Sequence, residues 1–479
     1  MRAIFAPGLF SLLAFVALPA SAFDFSDARR IVTISEPQIS PDGSRVVFVR
    51  GKADFAKDKT DRQLVLVDVR SHRERQLTYD RKGVGTPRWS PDGTSVSFVA
   101  LDDDEKNPQT QIFIMPMEGG DAREVTHAKN GVDNYAWSPD GSKFAYAMQD
   151  DNPNKKAIDA HRDAFEVRDN DYLHNSATPP EHAWWIRSGG GTAHRLTSGS
   201  WSIGNINPDG GSDLSWSADG RNIAIEHFPT PFYGDALGAR IEIVDVATGK
   251  RRALDGKNVE GSPAFAPRGD RIAYVRNTGG DYTVGIDLYV ADGAGKLLAD
   301  LRNDVDRNVE EYSWSPRGDG VWFDTPDHAV TALWYRPLAG RARRVDLGNL
   351  QVASLGNVAN TGNLVFTATT PTMPAELYLF DGSHAIELTA ENAFALRSGV
   401  AKTVEVSWNS TKGRFKEDGV LTYPLNYRGG KAPLVLLIHG GPQGSSLVGW
   451  NTQRQIFASH GYFVFSPNYR GSTNMGDAY

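Results

Sequence analysis

Two short patterns alternate seven times along this chain, and nothing else in it constrains the fold as tightly. The first is an aromatic or apolar residue, then Ser-Pro-Asp-Gly, then alternating apolar residues. It stands at Ile39–Gly43, Trp89–Gly93 and Trp137–Gly141, returns as Trp216–Gly220, Phe265–Gly269 and Trp314–Gly318, and is worn at Val358–Gly362. With Pro41, Pro91, Pro139, Ala218, Pro267, Pro316 and Asn360 as markers, the spacings are 50, 48, 79, 49, 49 and 44. The second pattern is a β-prone run, a turn and a short run ending near Leu-Thr, as at Leu64–Thr78, Ile112–Thr126 and Leu377–Thr389.

Proline fixes φ and glycine accepts positive φ, so each Pro-Asp-Gly predicts a tight hairpin turn. Alternation such as Val47, Val49 and Phe144, Tyr146, Met148 predicts half-buried strands. Two hairpins per repeat give four strands, and a repeated four-stranded unit of about 40–50 residues is a propeller blade. The expected fold is therefore an all-β seven-bladed propeller over residues 23–400. The Trp or Phe before each turn is read as packing between blades. The one long spacing places an insertion at about 150–182, in which Lys155–Val167 has the pattern of a short helix with Ile158, His161 and Phe165 toward one face.

After Thr389 the rhythm stops. Val404–Trp408 and Gly419–Tyr423 read as antiparallel strands. Leu434–Ile438 is a continuous apolar run, predicting a strand buried on both faces of a parallel sheet. His439-Gly440-Gly441-Pro442 leaves its carboxyl end, where α/β folds place their sites. Glycines there expose backbone N–H groups, which suits an oxyanion hole for acyl transfer. Thr452–Gln455 is a capping-box pattern for a helix stopped by Gly461, and Tyr462–Phe465 predicts another buried strand. Residues 401–479 thus read as the incomplete opening of an α/β-hydrolase domain. No Gly-x-Ser-x-Gly occurs in the 479 residues.

Pro-Asp-Gly blades, a strand ending His439-Gly-Gly-Pro442, and then Gly461-Tyr-Phe-Val leading to Asn468-Tyr-Arg-Gly-Ser472 together resemble the prolyl oligopeptidase family of serine peptidases. The nearest branch in this reading is the acylaminoacyl-peptidase and dipeptidyl-peptidase-like one. The resemblance implies hydrolysis of oligopeptides, with the propeller screening out large folded proteins. It implies an oxyanion donor at Gly440 or Gly441, with Gly441 preferred, a bracing role for His439 and a structural one for Arg470-Gly471-Ser472. It also implies a Ser-Asp-His triad that lies beyond Tyr479, so the chain as given is expected to lack peptidase activity. Related dipeptidyl peptidases hold the substrate's amino end with acidic residues on the propeller. By that likeness Glu166 is the substrate-binding candidate, with Asp163 and Asp169 as alternatives.

The net charge of −7 argues against nucleic acid, whose phosphates need a basic surface. Absence of Cys excludes disulfides, thiolate metal sites and a Cys nucleophile. No phosphate loop, dinucleotide fingerprint or metal-ligand His pair is present, and Asp102–Glu105 lacks the spaced oxygens of a calcium loop, so no cofactor or metal is expected. Arg2, the apolar Ile4–Leu18 and Ala20-Ser-Ala22 predict a cleavable leader over residues 1–22. A periplasmic or secreted protein, free of the membrane after cleavage, is expected. Two other readings stand beside the peptidase: an exported esterase, and a non-enzymatic propeller that binds or scaffolds.

Overall fold

The computed structural model describes residues 22–104, 106–165, 177–204, 213–255, 259–277, 285–301, 304–411, 413, 415–441 and 444–479. Its strands form eight four-stranded sheets, and seven of these are antiparallel with neighbouring strands in chain order. They occupy residues 32–76, 85–124, 135–195, 214–253, 260–300, 312–344 and 351–387. These are the propeller-like units that the repeat predicts.

Both repeated patterns have a hydrogen-bonding reason. In the first, the serine of Ser-Pro-Asp-Gly donates to the aspartate two residues on, as in Ser90 Oγ to Asp92 Oδ1 at 2.5 Å and Ser138 Oγ to Asp140 Oδ1 at 2.6 Å. The same Oγ accepts the N–H that opens the next strand, from Ser95 at 3.0 Å and Lys143 at 2.9 Å. These bonds hold the Asp42 and Asp140 carboxyls down at about 2. Gly43, Gly93 and Gly141 take φ of +77°, +71° and +69°, which side chains resist. In the second pattern, the closing threonine accepts an N–H from the third strand: Leu64 to Thr78 Oγ1 at 2.9 Å, Ile112 to Thr126 at 2.9 Å and Leu377 to Thr389 at 3.0 Å.

The tryptophans pack between sheets. Trp89, Trp216 and Trp314 each donate their indole N–H to a carbonyl on the first strand of the preceding sheet, those of Gln38, Ala136 and Ala264. One apolar cluster fills each junction between successive sheets, and a further cluster joins Ile34, Val46 and Phe48 of the first sheet to Val365, Leu377 and Leu379 of the seventh. The ring is therefore closed. Its first and seventh sheets keep separate strands and are tied by side-chain amides. Asn357 exchanges two bonds with Ile39, and buried Asn392 accepts from Val32 N at 2.9 Å and donates to Val32 O at 2.9 Å. Asn392→Ala orphans the buried Val32 groups. The expected loss is about 2–4 kcal/mol of stability in denaturant unfolding, and a loss under about 0.5 kcal/mol would show that the Asn392 amide adds nothing to closure.

In the insertion, the helix is shorter than its spacing predicts. It covers Lys155–Asp159, because His161 turns left-handed at φ +53° and ends it. Glu166 and Asp169 lie outside the described residues; Asp163 is described, half-buried and outside that helix. Of the expected leader, Ala22 alone is described. Phe23 beside it is fully buried, edge-on to Trp450 at 5.0 Å, with its N–H on Gly399 O at 3.0 Å.

The eighth sheet runs in the order Thr403–Asn409, Lys416–Thr422, Phe463–Asn468, Leu434–Leu436. The last two strands are parallel, and the helix Thr452–Ser459 connects them. The cap is Asn451, one residue before the predicted Thr452, accepting from Arg454 N at 2.8 Å. Gln455 points elsewhere than a capping box requires: its amide accepts from Ala401 N at 2.7 Å, tying the helix to the chain leaving the ring. The apolar run is not buried on both faces. Leu434, Leu436 and Ile438 are 59%, 52% and 62% exposed, because their strand lies at the sheet edge and alternation turns all three to one uncovered face.

Candidate functional site

A cavity of about 1200 Å³ separates the ring from the C-terminal sheet, and both parts line it. One wall is the segment from Leu436 to His439 with the loop 444–451. The other comes from the segment ahead of the sixth sheet, that sheet's second and third strands, and the first strand of the seventh, with Glu310, Glu311, Asp324 and Gln351 among its residues.

The Gly-Gly turn is braced from beneath. His439 stacks on Tyr469, ring centres 4.4 Å apart and 14° from parallel. The Tyr469 hydroxyl donates to His439 O at 2.9 Å, and Ser472 Oγ donates to Tyr469 O at 2.6 Å. Ser472 has then spent its one proton, so His439 Nε2, 2.9 Å away, is the donor to Ser472 Oγ. His439 Nδ1 lies 2.9 Å from Gly440 O. Two residues of the Asn468–Ser472 motif, Tyr469 and Ser472, thus act as supports. Gly440 and Gly441 are exposed, and Gly441 takes φ +146°, open to glycine and closed to most side chains. The arrangement offers backbone N–H groups at a strand's carboxyl end, next to an open cleft.

The loop forming the rest of this wall is held by buried groups. Arg454 donates to Leu447 O at 2.7 Å and Gly449 O at 2.6 Å. Asn468 accepts from Ser446 N at 2.6 Å and donates to Asp418 Oδ1 at 2.7 Å. Buried Asp418 also accepts from Asn474 Nδ2 at 3.1 Å, and His328 Nδ1 lies 3.2 Å from its other oxygen.

The opposite wall is acidic. Protein around Glu310 and Glu311 raises both carboxyls above their ordinary range, and the Glu311 charge adds to the effect on Glu310. Burial raises Asp324 far more, although it accepts from Glu311 N at 2.8 Å. Glu311 accepts from Leu355 N of the seventh sheet, so it also ties two sheets. The sequence signal for this wall was slight: two adjacent glutamates just ahead of the strand Tyr312–Trp314.

Comparison with known proteins fits this geometry. Residues 28–179 match the model of the TolB beta propeller domain. Dipeptidyl-peptidase 5 of Porphyromonas gingivalis is 28% identical over 240 residues, covering 48% of this chain and 35% of that protein. An uncharacterized peptidase, YuxL, of Bacillus subtilis is 31% identical over 96 residues, 20% of this chain and 14% of that one. The chain's relatives are peptidases. They bear out the resemblance read from the blade and turn motifs. The matched region spans about a third of the dipeptidyl-peptidase's length. In fold, the chain superposes on the acylaminoacyl peptidase of Pyrococcus horikoshii with a TM-score of 0.76 at 19% identity, over 95% of this chain and 68% of that one. The β-propeller domain of a protease from Pyrococcus furiosus, described as having an open velcro topology, matches at a TM-score of 0.53 and 17% identity, over 75% of this chain and 98% of that domain.

Proposed function

We propose that this chain is the propeller and the first part of the hydrolase domain of an exported serine peptidase that cleaves short peptides. In this reading the seven antiparallel sheets are seven blades, and residues 1–22 are its leader. The observation that carries it is the exposed Gly440-Gly441 turn beside a cleft of about 1200 Å³ whose far wall is acidic. Gly441 N–H would hold the developing oxyanion, and a Ser-Asp-His triad outside these residues would do the acyl transfer. Glu310 and Glu311 join Glu166 as candidates to face a peptide's ammonium end, where a charge-assisted bond in a confined cleft outweighs a neutral one.

The 479-residue chain is expected to show neither fluorophosphonate labelling nor turnover of chromogenic dipeptides, because it holds no nucleophile elbow. A longer protein containing it with a Gly-x-Ser-x-Gly segment should do both. Proline at 441 is a poor probe of the donor, since its φ near −65° cannot meet +146°. Glycolic acid at that position, which replaces the amide by an ester, removes the N–H and leaves φ free to reach +146°. In the longer protein it should lower kcat about 10²–10³-fold. Labelling of the 479-residue chain, or an unchanged kcat in the ester, would refute the corresponding part of the reading.

A further inference from the structure

We propose that His328, Glu405 and Asp418 form a site for a divalent transition-metal ion of the zinc class, pinning the sixth sheet of the ring to the C-terminal sheet. One imidazole nitrogen and two carboxylate oxygens all lie within 4.8 Å of one another. That donor set suits zinc or cobalt better than calcium, which takes six to eight oxygens. Metal bonds of about 2.0–2.2 Å bring such donors to roughly 3–3.5 Å apart, so closing the site takes only small rotations of the exposed His328 and Glu405 side chains.

The third donor is already fixed. Asp418 is buried, and Asn468 and Asn474 hold its Oδ1 at 2.7 and 3.1 Å, leaving Oδ2 toward His328. His328 sits at a hairpin turn with φ +55°, and its backbone is bonded on both sides to Asn474: N to Asn474 O at 3.0 Å, and O from Asn474 Nδ2 at 2.9 Å. Those bonds aim the imidazole across the gap. Glu405 and Asp418 come from paired strands and share a face, because Glu405 is opposite Val420 and Asp418 opposite Ser407. The three line a hollow of about 280 Å³, which leaves room for water at the remaining coordination positions. Two cations share the hollow. Arg344 is engaged with Asp327 at 3.0 Å, which leaves Lys416 as the competitor that a metal must displace.

The test is calorimetric titration of the untagged 479-residue chain, freed of metal by chelator, with Zn²⁺, and the same titration with Co²⁺ read by its visible absorption. One ion per chain is expected, with His328→Asn and Glu405→Gln each weakening binding about 100-fold, at least what loss of a supporting contact costs. Asn tolerates left-handed φ, so the first variant keeps the turn. Glu405→Gln should leave the metal-free melting curve unchanged, and His328→Asn, which also loses the contact with Asp418, is referred to its own metal-free curve. Hydrogen exchange at residues 328–330 and 473–475 should slow on adding Zn²⁺. No binding by the unaltered chain, or binding by either variant as tight as the unaltered chain's, overturns the proposal.

Discussion

Asp418→Ala, measured in chelator so that no metal contributes, should cost about 3–5 kcal/mol and free the C-terminal sheet from the ring. Asp418 is fully buried on the strand Lys416–Thr422 and is the common acceptor for Asn468, Asn474 and His328. Alanine removes the acceptor and leaves the donors. Asn468 and Asn474 are themselves fully buried, so each strands an amide hydrogen at about 1–3 kcal/mol. The damage then spreads along the bonds. Asn468 positions Ser446 in the cavity wall, and Asn474 fixes the backbone of His328 on the ring. Limited proteolysis should cut the segment after Ala401 in the variant while the ring stays resistant. Asp418→Asn keeps an acceptor oxygen and should cost less than half as much. A loss below about 1 kcal/mol for alanine would mean that water replaces the carboxylate without penalty.

The contrast between what was legible in the sequence and what was not follows from the range of the interactions. The sheets were legible because their determinants are local. Ser-Pro-Asp-Gly closes its bonds within five residues, as from Ser90 to Asp92 and Ser95. The Leu-Thr ending was visible as a pattern, but its purpose, accepting an N–H fourteen residues back in sequence, needed the strand pairing. The His439-Gly-Gly-Pro442 turn was legible as a motif. The bracing of His439 by Tyr469 and Ser472 was only half so, because thirty or more residues separate the partners. The exposure of Leu434, Leu436 and Ile438 went the other way from expectation. A run of apolar residues reports what could be buried, whereas the edge position of its strand decides what is. The acidic wall was hidden for a related reason. Glu310 and Glu311 gain meaning only when the ring turns them toward a turn more than a hundred residues away. Glu166 stands in the insertion that breaks the repeat, and it lies outside the described residues.

Glu226→Gln should flatten the chain's loss of stability between about pH 4.5 and pH 8, the range set by its raised carboxyl. Glu226 lies buried on the strand Asn222–His227, accepts from Ser262 N of the next sheet, and stands beside Asp213. Burial, and then the Asp213 charge, push its carboxyl up to about 8 from 4.5. Asp213 is itself raised by burial, and the hydroxyl of Tyr312, bonded to Ala273 O at 3.0 Å, closes over the pair. Two carboxyls in one dry site cannot both ionise cheaply, so the fold retains a proton that the unfolded chain has given up. The sign follows directly. A carboxyl whose folded pKa is raised stabilises fully below its unfolded value, and that contribution is lost as pH rises through the folded one. At about 1.4 kcal/mol per unit, the rise to about 8 sets a ceiling of about 5 kcal/mol on the loss. Glutamine holds the neutral form's shape and its acceptor for Ser262 at every pH. Glu74 and Glu260, each pushed to about 7 and weakening the fold over part of the same range, are present in both proteins and cancel in the difference. Denaturant midpoints at pH 5 should therefore nearly coincide, while at pH 9 the variant should be the more stable by several kcal/mol. Parallel curves across that range would place the retained proton on Asp213 or nowhere, and Asp213→Asn would then be the substitution that flattens the profile.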